Sequence, residues 1–589
     1  MSNHDSTKEI PSIVKNMFYG EVQEEVVFPF PHLSESQIEM AKAMIDAVDK
    51  FCQTVDSAKM DKEGKIPPEV LKGLADLGLC GLAVGEEYGG LGLDTTLYAR
   101  VFSQIAGYDG SIATTLGAHQ SIGYKALLNE GNEEQKKFWL PKLASGECFA
   151  SFCLTEPGSG SDAYSIKTKA TKNNDGTYTI TGQKLWITNA GMAGFYSVFA
   201  KTEHDEGGKM VEKITCFIVE KEREGISFGE KEDKMGIRAS ETRAVYFDKV
   251  TIPATNIIGE LGKGFKIAMN VLNTGRLSLG SGSVGGMKAI LKLATAQAKT
   301  RKQFGDYIAN FGLIQEKLTT IAANIYASES MVYMTTGKIT QGMHEYSHES
   351  AVCKVYCSEK LWDTIDKGTQ IAAGNGYMRE YPYERIMRDC RINLIFEGTN
   401  EILRIFTALS GIKGPADSLK ELGKISNAST FLHDPIKSVG MLSDFAKKRI
   451  NKYVGSKTLT KVHPSLETHA AHFSSALNDF AIAVENTIMK YGKDIIGNEL
   501  PQMRIANMTM ELYAQLCVLS RTTAILNRAD VSEKDKEYVT LMTELICRDS
   551  RQNFTRNYKR LSSSYDKLIP KISKAVCERD GFGFDIIDY

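Results

Sequence analysis

Asn174-Asp175-Gly176-Thr177-Tyr178-Thr179-Ile180-Thr181 is the stretch from which the fold can be read. An Asp-Gly pair ahead of a run of β-branched and aromatic residues is a hairpin signal. Working outward, Tyr196-Ser197-Val198-Phe199-Ala200, Thr215-Cys216-Phe217-Ile218-Val219 and Ala244-Val245-Tyr246-Phe247 repeat that texture. From Cys148 to Pro253 the chain reads as an all-β insertion of about 100 residues. Both flanks read as helix. On the N-terminal side, Glu35 to Val48 and Pro67 to Leu77 place apolar residues at steps of three and four, Gly89-Gly90-Leu91-Gly92 breaks the pattern, and a second helical stretch runs from Asp94 to Glu130. On the C-terminal side, Leu318, Ile321, Ile325, Ser328 and Val332 mark one helix face, and Val352, Val355, Trp362 and Ile365 another. Beyond Gly414, the stripes Phe473, Leu477, Phe480, Val484, Ile488 and Ile505, Met508, Leu512, Leu516, Leu519 predict further helices. The expected class is α+β, mostly α. Its parts are an N-terminal extension (1–33), a helical domain (34–147), a middle β domain (148–257), a helical bundle (258–413) and an additional helical domain (414–589).

The chain has 589 residues, enough for about four domains. Hydrophobic residues at 42% and charged residues at 24% exclude a disordered or fibrous chain. Lys plus Arg is 71 and Asp plus Glu 72, so there is no basic excess to bind nucleic acid in general. No apolar run is long enough for a membrane-spanning helix. The opening MSNHDSTKEI shows neither a secretory signal nor the Arg-rich character of a transit peptide. The eleven cysteines lack CxxC spacing and read as reduced thiols of a cytoplasmic protein, with no metal site. Lys437 to Lys461 holds seven Lys or Arg against one acid, Asp444. It reads as a solvated linker, with a peripheral membrane contact as the sharper alternative.

Five segments invite a chemical reading, and the first is discounted. Gly280-Ser281-Gly282-Ser283-Val284-Gly285 matches a dinucleotide fingerprint, but Phe265 to Leu279 before it reads as helix, and small residues within a helix permit close helix packing instead. In Phe152-Cys153-Leu154-Thr155-Glu156-Pro157-Gly158-Ser159-Gly160-Ser161-Asp162 a strand ends in a Gly-Ser loop that offers backbone N–H groups and hydroxyls to an acceptor-rich ligand. Gln183-Lys184-Leu185-Trp186-Ile187-Thr188-Asn189 sets a Trp and a Thr on a β platform, suited to a planar ring or simply to a core. Arg301-Lys302-Gln303-Phe304-Gly305, with Gln315, offers a guanidinium for a pyrophosphate or a surface charge. In Phe396-Glu397-Gly398-Thr399, a Glu after an apolar strand-like segment can serve as a desolvated base, with room for substrate at Gly398. Thr399 or Asn400 then caps a helix.

These segments together resemble the acyl-CoA dehydrogenase family along nearly the whole chain, supported by Met235-Gly236-Ile237-Arg238, Gly374-Asn375-Gly376-Tyr377 and Ile395-Phe396-Glu397-Gly398-Thr399-Asn400-Glu401-Ile402-Leu403-Arg404. The length beyond Glu397 and Leu116-Gly117-Ala118-His119-Gln120-Ser121-Ile122-Gly123 look like its long-form, very-long-chain branch. The resemblance implies a middle β-barrel domain and FAD held by Phe152, Leu154, Thr155, Gly160, Ser161, Trp186, Ile187 and Thr188. It implies that Arg301, Gln303, Gln315, Gln370 and Gly374 reach the FAD of a facing subunit, with Thr399 and Glu401 beside the cofactor. Ser161, Asn273 and Arg276 match positions near the CoA portion, although the family often has Asp at the place of Asn273. Some members carry the base immediately before the residue matching Arg276. This chain has Gly275 there, which leaves Glu397 as the general base. The implied reaction is dehydrogenation of a fatty, long-chain acyl-CoA to the trans-2-enoyl-CoA in fatty acid β-oxidation, with electrons passed to an electron-transferring flavoprotein by a homodimer. An oxidase passing electrons to oxygen, or a scaffold role, is the alternative. Gly117, Ala118 and Gly123 either open an acyl channel or pack helices tightly.

Overall fold

The computed structural model describes residues 10–425 and 459–588, which separate into two compact units. The first holds Pro31–Asn400; the second joins Pro11–Phe30 to Glu401–Tyr589. Most of the basic segment Lys437 to Lys461 lies outside the described residues.

In the first unit, α1 (Glu35–Cys52), α2 (Pro68–Asp76), α3 (Thr95–Tyr108) and α4 (Gly110–Gly117) precede the β region. Ser34 opens α1 with a capping box, its hydroxyl accepting from the Gln37 N–H. Asp109 caps α4 by accepting from the Ile112 N–H. A π-helical turn, Ala118–Gly123, then leads through α5 (Lys125–Glu130) and α6 (Glu133–Ala144). His119 lies within that turn. Its Nδ1 accepts from the Ala150 N–H at 3.0 Å, so Nε2 carries the proton and donates to the Leu143 carbonyl at 2.9 Å.

One eight-stranded sheet follows. Its strands are β1 (Phe149–Cys153), β2 (Lys169–Lys172), β3 (Tyr178–Thr188), β4 (Ala193–Asp205), β5 (Met210–Glu220), β6 (Ile226–Phe228), β7 (Thr242–Ile252) and β8 (Ile257–Ile258). The order is β6-β7-β3-β2-β4-β5-β8, with β1 parallel to β4. The Asn-Asp-Gly turn joins β2 to β3 as expected. Gly176 sits at φ 85°, open to glycine at little cost, and Asp175 accepts from the Thr177 N–H. Between Lys184 and Ile187 the register of β3 against β7 shifts, and the bulge turns Trp186 to φ 57° with its indole exposed.

After the sheet, α7 (Gly264–Thr300) runs unbroken for 37 residues and packs against α3, α8 (Gly312–Thr340) and α9 (Ser347–Ala372). The Gly280 to Gly285 run lies inside α7. A Cβ at Gly285 would fall on the Ser103 carbonyl oxygen, so this glycine lets α3 approach, and no strand–turn–helix site forms. Then α10 (Tyr383–Cys390) leads to the catalytic-motif segment. The apolar segment before Glu397, Ile392 to Phe396, expected to be strand-like, is instead helical at its start: Arg391–Leu394 form a 3₁₀ helix. A short apolar run is ambiguous between strand and buried helix, and here it follows α10 directly and packs on α9. The next helix, α11 (Asn400–Ile425), starts where the cap was expected.

The second unit is built on α12 (Glu467–Tyr491), α13 (Glu499–Leu526) and α14 (Glu533–Ser562), followed by α15 (Ile569–Glu578). Phe473, Phe480 and Val484 of α12 and Ile505, Met508, Leu512, Leu516 and Leu519 of α13 are fully buried. Residues 11–30, expected as a bare extension, are part of this core. Phe18 meets Phe480 edge to face at 5.1 Å, and the Ser520 hydroxyl donates to the Val27 carbonyl.

Candidate functional site

The site is built where the middle of α7, α4 with the π-helical turn after it, and the turn after α10 converge on a cavity. Glu397, Gly275, Thr188, Ile122, Phe102 and Leu361 are among its lining residues. Glu397 has φ 60° and Gly398 φ 92°. A left-handed glutamate is unfavourable for a residue with a Cβ and persists only where its surroundings hold it. Two buried cations do so. Arg276 Nε donates to the Glu397 carbonyl at 3.2 Å, and Lys354 Nζ donates to the Gly398 carbonyl and to Asn400 Oδ1, each at 2.8 Å. Asn273 Oδ1 in turn accepts from Arg276 at 2.9 Å and from the Ser350 hydroxyl at 3.3 Å.

The side chain of Glu397 is treated differently from its backbone. Its Oε2 is buried and has no hydrogen-bond partner among the described residues. Burial pushes the carboxyl up to about 7, against the pull of Arg276 and Lys354. Burial also pushes the Arg276 guanidinium down to about 10, so it remains a cation at neutral pH. A carboxylate of this basicity, aimed into a largely apolar cavity, can accept a proton from carbon.

A second cluster forms at the exit of β1. The Leu185 N–H donates to the Thr155 carbonyl at 2.9 Å, and the Ser151 hydroxyl to the Thr188 carbonyl at 2.9 Å. These bonds bring Phe152, Leu154 and Thr155 beside Trp186, Ile187 and Thr188. Leu154 and Ile187 are buried, Phe152, Thr155 and Thr188 half-buried, and Gly160 and Ser161 exposed on the loop. The loop is anchored by a buried ion pair. Lys184 Nζ lies 2.7 Å from Glu156 Oε1, and Glu156 also accepts from the Thr168 hydroxyl and from the N–H groups of Lys167 and Thr168. Burial alone would raise the Glu156 carboxyl, but Lys184 and the hydrogen bonds bring it below its ordinary value.

The remaining expected residues are not at the cavity of this chain. Arg301, Gln303, Gln315, Gln370 and Gly374 are exposed at the ends of α7, α8 and α9. Glu401 is exposed and Thr399 half-buried. Gly117 and Ala118 line the cavity, whereas Gly123 serves packing: a Cβ there would lie 2.5 Å from the Ala118 carbonyl oxygen and 2.9 Å from the Ala150 Cβ. Sequence reasoning missed Lys354, whose buried ammonium sits among the apolar positions of α9. A lysine between Cys353 and Val355, inside a stripe otherwise destined for the core, was the signal.

Known proteins are similar to this chain along almost its whole length. Residues 36–147, 151–250 and 262–410 match the N-terminal, middle and C-terminal domain models of acyl-CoA dehydrogenase, and 464–582 match the ACAD9/ACADV C-terminal domain. The very long-chain specific mitochondrial acyl-CoA dehydrogenase of Rattus norvegicus is 40% identical, over 99% of this chain and 90% of that protein. An acyl-CoA dehydrogenase from Bacillus anthracis, solved in complex with FAD, superposes with a TM-score of 0.77 at 33% identity, covering 93% of this chain and 91% of its own. Butyryl-CoA dehydrogenase from Megasphaera elsdenii covers 64% of this chain and 98% of its own, with a TM-score of 0.61 at 37% identity. The chain belongs to the acyl-CoA dehydrogenase family.

Proposed function

We propose that this chain catalyses the FAD-dependent α,β-dehydrogenation of long-chain acyl-CoA to trans-2-enoyl-CoA, with Glu397 as general base. The observation that carries the reading is the buried Oε2 of Glu397, without a hydrogen-bond partner among the described residues, in an apolar cavity. The cofactor fits the β1 exit by its donor set. Thr155, Ser161 and Thr188 offer hydroxyls on the segments that meet there, the Trp186 indole is exposed, and Cβ atoms built at Gly158 and Gly160 would meet nothing within 4 Å, so the loop backbone is open to a bulky ligand. Phe152, Leu154, Gly160 and Ile187 complete that face in this proposal. Bound there, FAD supplies the two-electron acceptor that no side chain provides.

Glu397 takes the α-proton of the thioester, and the β-hydrogen leaves with its electron pair. Arg276 and Lys354 hold the carbonyls of Glu397 and Gly398, so the carboxylate keeps its aim while its charge changes. The backbone N–H of Glu397 stabilises the developing charge on the thioester carbonyl. Ser161, Asn273, Arg276 and Gly398 border the substrate in this reading. Thr399 and Glu401 stand beside the cofactor, and Arg301, Gln303, Gln315, Gln370 and Gly374 serve the cofactor of a second copy in a homodimer. The middle segment bounded at 147 and 257 is a functional domain of this proposal, whereas the expected boundaries at 33 and 413 give way to the two units described above.

The long-chain assignment draws on the rat relative's name and on the apolar lining of the cavity. An electron-transferring flavoprotein is the proposed acceptor, and the cytoplasm the proposed site of action; among the described residues no helix is long and apolar enough to cross a membrane. Turnover measured over a series of thioesters tests the reading. Hexadecanoyl-CoA should be oxidised faster than butanoyl-CoA, with little peroxide formed in air. The reverse ranking removes the long-chain assignment, and stoichiometric peroxide replaces the flavoprotein acceptor with oxygen.

A further inference from the structure

Arg385, Asp389, Asn393 and Glu397 follow one another at steps of four residues, and all four line the cavity that holds the base. One wall of a largely apolar cavity is therefore polar. The first three sit on α10 and on the 3₁₀ turn that continues it. The segment from Gly110 to Ile122 runs beside this wall. A Cβ at Gly110 would lie 3.1 Å from Asp389 Cβ, and at the other end a Cβ at Gly275 would lie 2.8 Å from Ile122 Cγ2 and 2.7 Å from Glu397 Oε2. Thr114 and Asn393 each stand four residues on from the Gly110–Asp389 contact, about 6 Å along a helix. Both line the cavity, and both are half-buried.

The polar groups of the lining are not equivalent. The hydroxyls of Ser121, Ser278 and Ser283 each donate to the backbone carbonyl four residues back. Arg385 Nη1 lies 3.2 Å from Asp109 Oδ2 and 3.8 Å from Asp389 Oδ2, and Asp389 Oδ1 accepts from the Ile237 N–H. By contrast, the Thr114 hydroxyl and the Asn393 amide have no hydrogen-bond partner among the described residues. A plain alkyl chain in the cavity displaces water from both groups and returns no hydrogen bond. A hydroxyl can donate to the Asn393 side-chain oxygen and accept from its amide or from Thr114.

We infer that the cavity is built for a long-chain acyl-CoA carrying a hydroxyl within its chain, recognised by Asn393 and Thr114; this rests on the function proposed above. The hydroxyl is a recognition group only. The α-proton still goes to Glu397, the β-hydrogen still leaves with its electron pair, and the C–O bond is untouched. A carboxylate in the same part of the chain is refused. Arg385 is one cation between two buried acids, so an added anion meets repulsion from Asp109 and Asp389 and no free guanidinium.

The test uses the purified holoenzyme with hexadecanoyl-CoA, its isomers carrying one hydroxyl at each even carbon from the sixth to the fourteenth, and the monothioester of hexadecanedioic acid. The quantity read is kcat/KM for each thioester relative to hexadecanoyl-CoA. A ratio taken on one preparation does not depend on how much of it is folded. At least one hydroxylated isomer should be favoured about 10-fold over hexadecanoyl-CoA, and the diacid thioester disfavoured about 10-fold. Asn393→Leu, close in volume, should bring the favoured ratio to one or below, and Thr114→Val should lower it severalfold. A natural chain that oxidises hexadecanoyl-CoA but favours no hydroxylated isomer overturns the inference alone. So does a preference that survives both substitutions, or a diacid thioester favoured over every hydroxylated isomer. A natural chain that oxidises none of the thioesters overturns the proposed function itself, which separates the two failures.

Discussion

Gly275 and Glu397, 122 positions apart in sequence, meet so closely that a methyl group on the glycine would lie 2.7 Å from the carboxylate Oε2. The glycine is buried in α7, where alanine would otherwise be the better helix former. Gly275→Ala should therefore displace the base. A misplacement on the order of 1 Å costs about 100-fold in rate. Stopped-flow measurement of the reductive half-reaction should show that loss with flavin content unchanged; a rate within twofold of the natural chain would mean that the carboxylate has room to spare.

The raised acidity of Glu397 has a definite sign. The base must be ionised to accept a proton, so kcat/KM for hexadecanoyl-CoA should rise with pH through an inflection near 7. Stability should move the other way. A carboxyl whose folded value lies above its unfolded one contributes fully below the unfolded value, and that contribution is lost as pH rises through 7. Glu397→Gln should therefore gain up to about 3 kcal/mol over the natural chain at pH 8 and little at pH 4. Urea unfolding at the two pH values checks it, and an equal difference at both would refute the burial argument.

Lys354 is a positioning residue, acting on the base through Gly398 and Asn400. Lys354→Met removes both hydrogen bonds and a cation that draws the Glu397 value down. The expected result is a kcat lower by about 10- to 100-fold with KM little changed, because the lost bonds orient the base. The inflection of the rate profile should also shift to higher pH. A structural role alone would lower the yield of folded protein without moving that inflection.

Lys184 and Glu156 anchor the loop that carries Gly160 and Ser161. Lys184→Met leaves Glu156 buried without its cation, and removing one partner of such a pair typically costs about 3–5 kcal/mol. Flavin retention through gel filtration should fall together with the melting temperature. Full retention with unchanged melting would show that the pair does not organise the loop.

The hairpin at Asp175-Gly176 and the helical stripes of α8, α12 and α13 were legible because each is a local period or turn signal in consecutive residues. The contact of Gly275 with the Glu397 carboxylate and the hold of Lys354 on Gly398 were not, since a glycine and a lysine within helices gain these partners only from the turn around residue 397. The place of residues 11–30 was hidden for the same reason: Phe18 packs on Phe480, more than 400 positions away. Ile392 to Phe396 misled because four apolar residues in five carry no decisive period. The strained φ of Glu397 is likewise a product of tertiary contacts with Arg276 and Lys354.

The most direct test of the central claim is anaerobic titration of the holoenzyme with hexadecanoyl-CoA, followed by visible absorbance, for the natural chain and for Glu397→Gln. The natural chain should lose its oxidised-flavin band on addition of one equivalent, and Glu397→Gln should bind the same flavin but keep that band, its reduction slowed by at least about 1,000-fold. A glutamine variant that bleaches as fast as the natural chain would contradict the account.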